Sequence, residues 1–221
     1  MSDVTTGDAS AGRDPLASWT VRVLGRSLAG LLTLGALLEA GSVDELFDYA
    51  PYPEARLLVY LGVGIATLFI LKPAGRNERR LRVPLYDGLI AFVGTGVCFY
   101  AAWHYERLFE SMADSPPEAV AIGGVVIAVV GEGLRRTAGN ILLAFMIFFL
   151  AFGLLGHFVP GDFQGENVGF GRLFIYAGLD SNGLVGFPLR ISTTIVITFI
   201  YFGTLLGMSG GSRFFTDIST A

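Results

Sequence analysis

Asn140-Ile-Leu-Leu-Ala-Phe-Met-Ile-Phe-Phe-Leu-Ala-Phe-Gly-Leu-Leu-Gly-His-Phe-Val159 decides the fold of this chain. The run holds no Asp, Glu, Lys or Arg. A helix of about 20 mainly apolar residues crosses the roughly 30 Å hydrocarbon core of a bilayer. Five other stretches come close to that length and character: Ser27 to Phe47, Ala55 to Leu71, Leu85 to Trp103, Glu118 to Leu134 and Ile191 to Met208. The second and fourth are short. In lipid the backbone must satisfy its own hydrogen bonds, so these blocks are expected to be helices. A membrane barrel needs strands of about ten residues with alternating polarity, and none is visible. The expectation is an all-α integral membrane protein with six transmembrane helices.

Composition agrees. Of 221 residues, 52% are hydrophobic and 15% charged, against about 25% charged in soluble domains. Mean hydropathy is +0.60. The net charge of −4 is too mild to suggest a nucleic-acid partner. The single cysteine, Cys98, lies in an apolar run and reads as a packing residue.

The basic residues orient the chain. Arg13, Arg22 and Arg26 precede the first apolar block. Lys72, Arg76, Arg79, Arg80 and Arg82 lie between the second and third, Arg135 and Arg136 between the fourth and fifth, and Arg213 after the sixth. Only Arg56, Arg107, Arg172 and Arg190 fall in the alternate connections. Positive residues collect on the cytoplasmic side, so the N-terminus is expected inside. Residues 1–26 read as a cytoplasmic tail, disordered over the small, polar stretch Met1 to Asp14. The outer connections are acidic (Asp44, Glu45, Asp48 and Glu54, then Glu106, Glu110, Asp114 and Glu118), which reads as solubility. The third outer connection, Pro160 to Arg190, has two readings. Phe170, Leu173, Phe174 and Tyr176 to Leu179 form either a short amphipathic helix in the membrane interface, ended by Gly178 and Asn182-Gly183, or a plain loop. Glycines inside the helices (Gly30 and Gly35, Gly62 and Gly64, Gly94 and Gly96, Gly123 and Gly124) predict close helix packing.

Ionisable groups at membrane depth are costly and are the natural functional candidates. Glu39, Asp87, His104 and His157 lie at helix ends, where an interfacial position explains each better than a transport or proton-relay role. Glu132 is deeper. Its i,i+3 and i,i+4 spacing predicts ion pairs with Arg135 and Arg136, snorkelling at the cytoplasmic face. Ser192, Thr193 and Thr194 open the sixth helix as weak polar candidates whose hydroxyls can bond their own helix or a neighbour. No phosphate-cradling loop with a lysine, no convergent metal ligands and no nucleophile with a histidine and carboxylate is present, so neither an enzyme nor a cofactor is expected.

An ordered set of segments remains. Glu132-Gly-Leu-Arg-Arg-Thr-Ala-Gly139 is followed by the apolar helix ending in His157-Phe-Val-Pro-Gly161. Then come Gly183-Leu-Val-Gly-Phe-Pro-Leu-Arg-Ile-Ser-Thr-Thr194, Phe202-Gly-Thr-Leu-Leu-Gly-Met-Ser-Gly-Gly211 and Phe214-Phe-Thr-Asp-Ile218. Over these roughly ninety residues the chain resembles the fused permeases of TRAP (tripartite ATP-independent periplasmic) transporters, in particular the TAXI subgroup. Residues 1–131 match in layout only: four helices, then the Arg-Arg turn. The matching positions are Glu132, Arg135, Arg136, Gly139, Pro160, Gly186, Pro188, Ser209, Gly210 and Asp217. The resemblance implies a small four-helix domain over residues 27–136 and the start of a large permease domain over 137–221. It implies ion-gradient-driven solute import, with sodium as the usual coupling ion, and a periplasmic substrate-binding protein as partner. The family's large domain continues for hundreds of residues, so the hairpins and broken helices that bind ion and substrate are expected beyond Ala221. The chain then reads as a fragment, a truncated frame or one piece of a split permease. The alternative is a non-transporting membrane anchoring or assembly subunit.

Overall fold

The computed structural model describes residues 15–41, 52–72, 85–158, 164–166, 168–211, 216 and 218–219. Among them there are helices and turns but no strand. Six helical segments are long and apolar enough to cross a membrane. They are α1 (Pro15–Ala40), α2 (Pro53–Leu71), α3 (Leu85–Trp103), α5 (Pro117–Thr137), α6 (Asn140–Leu155, extended by a 3-10 turn to Phe158) and the joined pair α8–α9 (Phe187–Ile191 and Ile197–Met208). Two short helices intervene, α4 (Tyr105–Ser111) and α7 (Phe170–Gly178). Prolines open α2, α5 and α8, where the fixed φ suits a first helical turn and the missing N–H costs nothing.

The core lies between α2, α3 and α5. Their apolar windows are 33%, 28% and 44% buried, against 6% for both α6 and α8–α9. Glycines set the spacing. A Cβ at Gly62 of α2 would meet Cys98 and Phe99 of α3, and one at Gly94 of α3 would meet Val129 of α5 and Ile65 of α2. Two hydroxyls bond across helices at these approaches: Thr95 donates to the Gly62 carbonyl at 3.0 Å, and Tyr60 to the Gly35 carbonyl of α1 at 2.9 Å. Leu57, Leu58, Ile65, Phe69, Val126 and Val129 fill the space between.

Four features differ from the sequence reading. Helix α1 begins at Pro15, so the helix takes in residues 15–26 and only residues 1–14 lie outside the described part of the assigned tail. Pro15 suits a first helical turn, and from Leu16 to Leu24 no proline or glycine interrupts the helix. The connection after α3 is itself mostly helical: α3 breaks at His104, and α4 carries Tyr105 and Leu108 into the core. The sixth span starts at Phe187 and is π-helical over Ser192–Val196. Finally, α7 is helical rather than a plain loop, and its packing is more than an amphipathic pattern shows. It is wedged against α5, where Gly178 meets the Gly123 backbone and Phe174 covers Gly123 and Gly124. Leu173 packs on Gly153 of α6. Two facing helices without side chains at the contact can bring backbones together in a way an amphipathic moment does not reveal.

Candidate functional site

The densest group of charges is on α5. Glu132, Arg135 and Arg136 share one turn, as the i,i+3 and i,i+4 spacing predicts. Arg135 donates two hydrogen bonds to the Glu132 carboxylate, Nε to Oε2 and Nη2 to Oε1, both 2.7 Å. Arg136 Nε donates to Glu132 Oε1 at 2.8 Å.

Arg136 does not snorkel outward. Its Nη2 reaches Asp87 Oδ1 of α3 at 2.7 Å, and both side chains are fully buried. The guanidinium lies 4.6 Å from the ring centroid of Phe69 on α2 and 5.9 Å from that of Tyr86. Nη1 donates to the Lys72 carbonyl at 3.5 Å, at the end of α2. Asp87 stays at the end of α3, one turn in, but α5 and α2 close over that turn, and the carboxylate is buried against an arginine. A planar guanidinium can serve two carboxylates and an aromatic face at once, which an ammonium cannot. Two arginines and two carboxylates leave the cluster neutral.

The cluster stands three residues before Gly139, whose φ of +91° and ψ of 179° belong to glycine alone. This bend redirects the chain from α5 into α6. So the pin through α2, α3 and α5 lies immediately ahead of the place where the well-packed helices give way to exposed ones. The arrangement holds helices. Its hydrogen bonds tie α2, α3 and α5 to one another.

The remaining candidates are scattered. Ser192 donates to the Pro188 carbonyl at 2.8 Å, Thr194 to the Arg190 carbonyl at 2.7 Å, and Thr193 to the Leu189 and Arg190 carbonyls at 3.1 Å each. Three successive hydroxyls thus bond their own helix, where such back-bonding bends helices, and here they accompany the π-helical turn. Gly186 precedes α8 in a space too tight for a Cβ beside the Ser181 carbonyl, and Pro188 stands in the first turn of α8. Ser209 and Gly210 (φ +82°) end α9. Pro160 and Asp217 lie outside the described residues. The family-motif positions therefore divide into a charge cluster, a helix start and a helix end, and the structure does not bring them to one point.

Glu39 pairs with Arg56 of α2 at 3.2 Å. His104 stacks on Tyr100 with centroids 4.5 Å apart and His157 on Phe158 at 3.9 Å, each with Nδ1 at 3.1 Å from a backbone carbonyl. Opposite the Arg135–Arg136 end, Glu118 accepts from Tyr100 and Arg107. Nearby, burial and then the carboxylates of Glu54 and Asp180 push the Tyr105 phenol well up from its usual range. Among the described residues no three His, Cys, Asp or Glu side chains converge as metal ligands. Sequence reasoning named Asp87 but missed its partner, Arg136. A carboxylate inside an apolar helix facing a second helix that ends in Arg-Arg was the available signal. No protein-family model, curated protein or solved structure matches the chain.

Proposed function

We propose that this chain is the N-terminal portion of a TRAP-type fused permease, a multi-pass protein of the cytoplasmic membrane that imports a small solute on an ion gradient, sodium by the family's habit. In this reading α1 to α5 form the small domain, a scaffold held together by the Asp87–Arg136–Glu132 pin. Helices α6 and α8–α9 open the transport domain, and a periplasmic binding protein delivers the solute. The observation that carries the reading is the change in packing at Gly139. Before it α2, α3 and α5 bury 33%, 28% and 44% of their apolar windows and α1 buries 11%, and the spans after it bury 6%. That change falls at the boundary implied by the ordered motif set, and spans apolar all round suit helices that receive further protein or lipid neighbours.

The genomic locus tests it. The coding sequence downstream of the Ala221 codon, in frame or shifted, is expected to encode further apolar helices, or a separate large permease gene lies beside it with a binding-protein gene. A clean stop with neither gene nearby overturns the proposal.

A further inference from the structure

A groove of about 350 Å³ runs between α1, α2, α5 and α8–α9. It passes Leu32, Tyr60, Gly64, Leu68, Val130 and Thr193, and its lining is almost wholly apolar. From Tyr60 to Phe69 the groove follows α2 for about 13 Å at 1.5 Å per residue. That length and the apolar lining suit a single extended chain lying along α2. The apolar lining offers water no partners.

The groove is not sealed by side chains. A Cβ at Gly64 on its wall would have nothing within 4 Å. Its end at Leu68 and Phe69 adjoins Lys72, one helical turn after Leu68 on the same face of α2. There α1 lies against α2, with Leu71 over Gly25, so Arg26 and Lys72, the next residue on each, stand at the same end of the helix pair. Both cations are exposed, and among the described residues neither side chain has an ion-pair partner.

We infer that this groove holds one acyl chain of an anionic phospholipid whose phosphate lies between Arg26 and Lys72. Basic residues at the mouth of an interhelical cleft are the chemistry that selects anionic headgroups, and the apolar slot takes the tail. The inference is independent of which solute, if any, the protein carries.

Native mass spectrometry of the full chain, purified in mild detergent and titrated with phosphatidylglycerol or phosphatidylethanolamine, tests it. The wild-type protein is expected to retain phosphatidylglycerol at least about threefold better. Gly64→Leu places its Cβ where nothing lies within 4 Å, projects its side chain from the groove wall, and is expected to abolish retention of both lipids. Gly96→Leu on α3, where a Cβ also meets nothing, is expected to change neither. The double variant Arg26→Gln/Lys72→Gln is exposed and safe for folding. It is expected to keep phosphatidylethanolamine and lose the preference. Equal retention of both lipids by the wild type, retention unchanged in Gly64→Leu, or a preference that survives the double variant each overturns the inference.

Discussion

The Arg136–Asp87 pair sets how far a single residue can matter here. Both side chains are out of contact with solvent, and each supplies the other's charge partner. Breaking such a pair from one side leaves an uncompensated buried charge, a loss of about 3–5 kcal/mol. Arg136→Gln is therefore expected to lower the stability of the detergent-solubilised protein by about that much. Asp87→Asn removes a charge and leaves Arg136 still paired with Glu132, so it costs less. The double variant recovers part of the loss, a coupling that a double-mutant cycle on the denaturation midpoint reads directly. Additive losses would show that the pair is not a unit. Gly139 is the second residue with a definite cost. Gly139→Ala meets no neighbouring atom, so any effect is backbone strain, about 1–3 kcal/mol. It is expected to lower the melting temperature, while Gly30→Ala, in an α-helical and equally open position, leaves it unchanged or raises it.

At the scale of elements, what was legible depends on whether hydropathy or packing decides. The bounds of α3, Leu85 and Trp103, follow from hydropathy, because a charged connection flanks one side and His104 the other. Glu132 with Arg135 and Arg136 was legible because the helical period alone brings them together. The position of α7 was not. Its sequence is amphipathic, and amphipathicity fits a lipid interface as well as a protein groove. The deciding contact is glycine on glycine, Gly178 at Gly123, between segments more than fifty residues apart. The burial of Asp87 escaped for the same reason, since its partner lies on another helix. The α7 placement gives a direct expectation. A Cβ at Gly171 would come within 3.1 Å of Val120. With Cys98 replaced by alanine, the pair Val120→Cys and Gly171→Cys is expected to form a disulfide on mild oxidation in native membranes. Adding Gly123→Val, which drives a side chain into the Phe174 carbonyl, is expected to reduce that yield severalfold. An α7 that does not pack on α5 gives no crosslink in either background.

For the whole molecule, the six spans and the alternation of charge are separate lines of argument with one consequence. The spans rest on length and hydropathy. Sidedness rests on eleven of 15 basic residues falling on one set of connections. The clamp adds a physical reason why that set behaves as one end: Arg136 reaches Asp87 at the start of α3 and the Lys72 carbonyl at the end of α2, so these three helix termini share a level. A reporter fused after Arg80 is accordingly expected to read cytoplasmic, and one fused after Gly165 external. The reverse pattern overturns the orientation. The same architecture bears on activity. The buried charges face one another, the hydroxyls of Ser192, Thr193 and Thr194 are spent on their own helix, and the spans after Gly139 bury 6% of their windows. A path for solute across the bilayer needs polar groups converging at depth between packed elements, and the described residues place no such set. The 221-residue chain, reconstituted alone in sealed vesicles under an inward sodium gradient, is therefore expected to show no gradient-dependent uptake of organic acids. Under the proposed permease reading, adding a large permease polypeptide encoded at the same locus is expected to produce it. Sodium-driven uptake by the chain alone would overturn both this expectation and the scaffold role assigned to the first five helices.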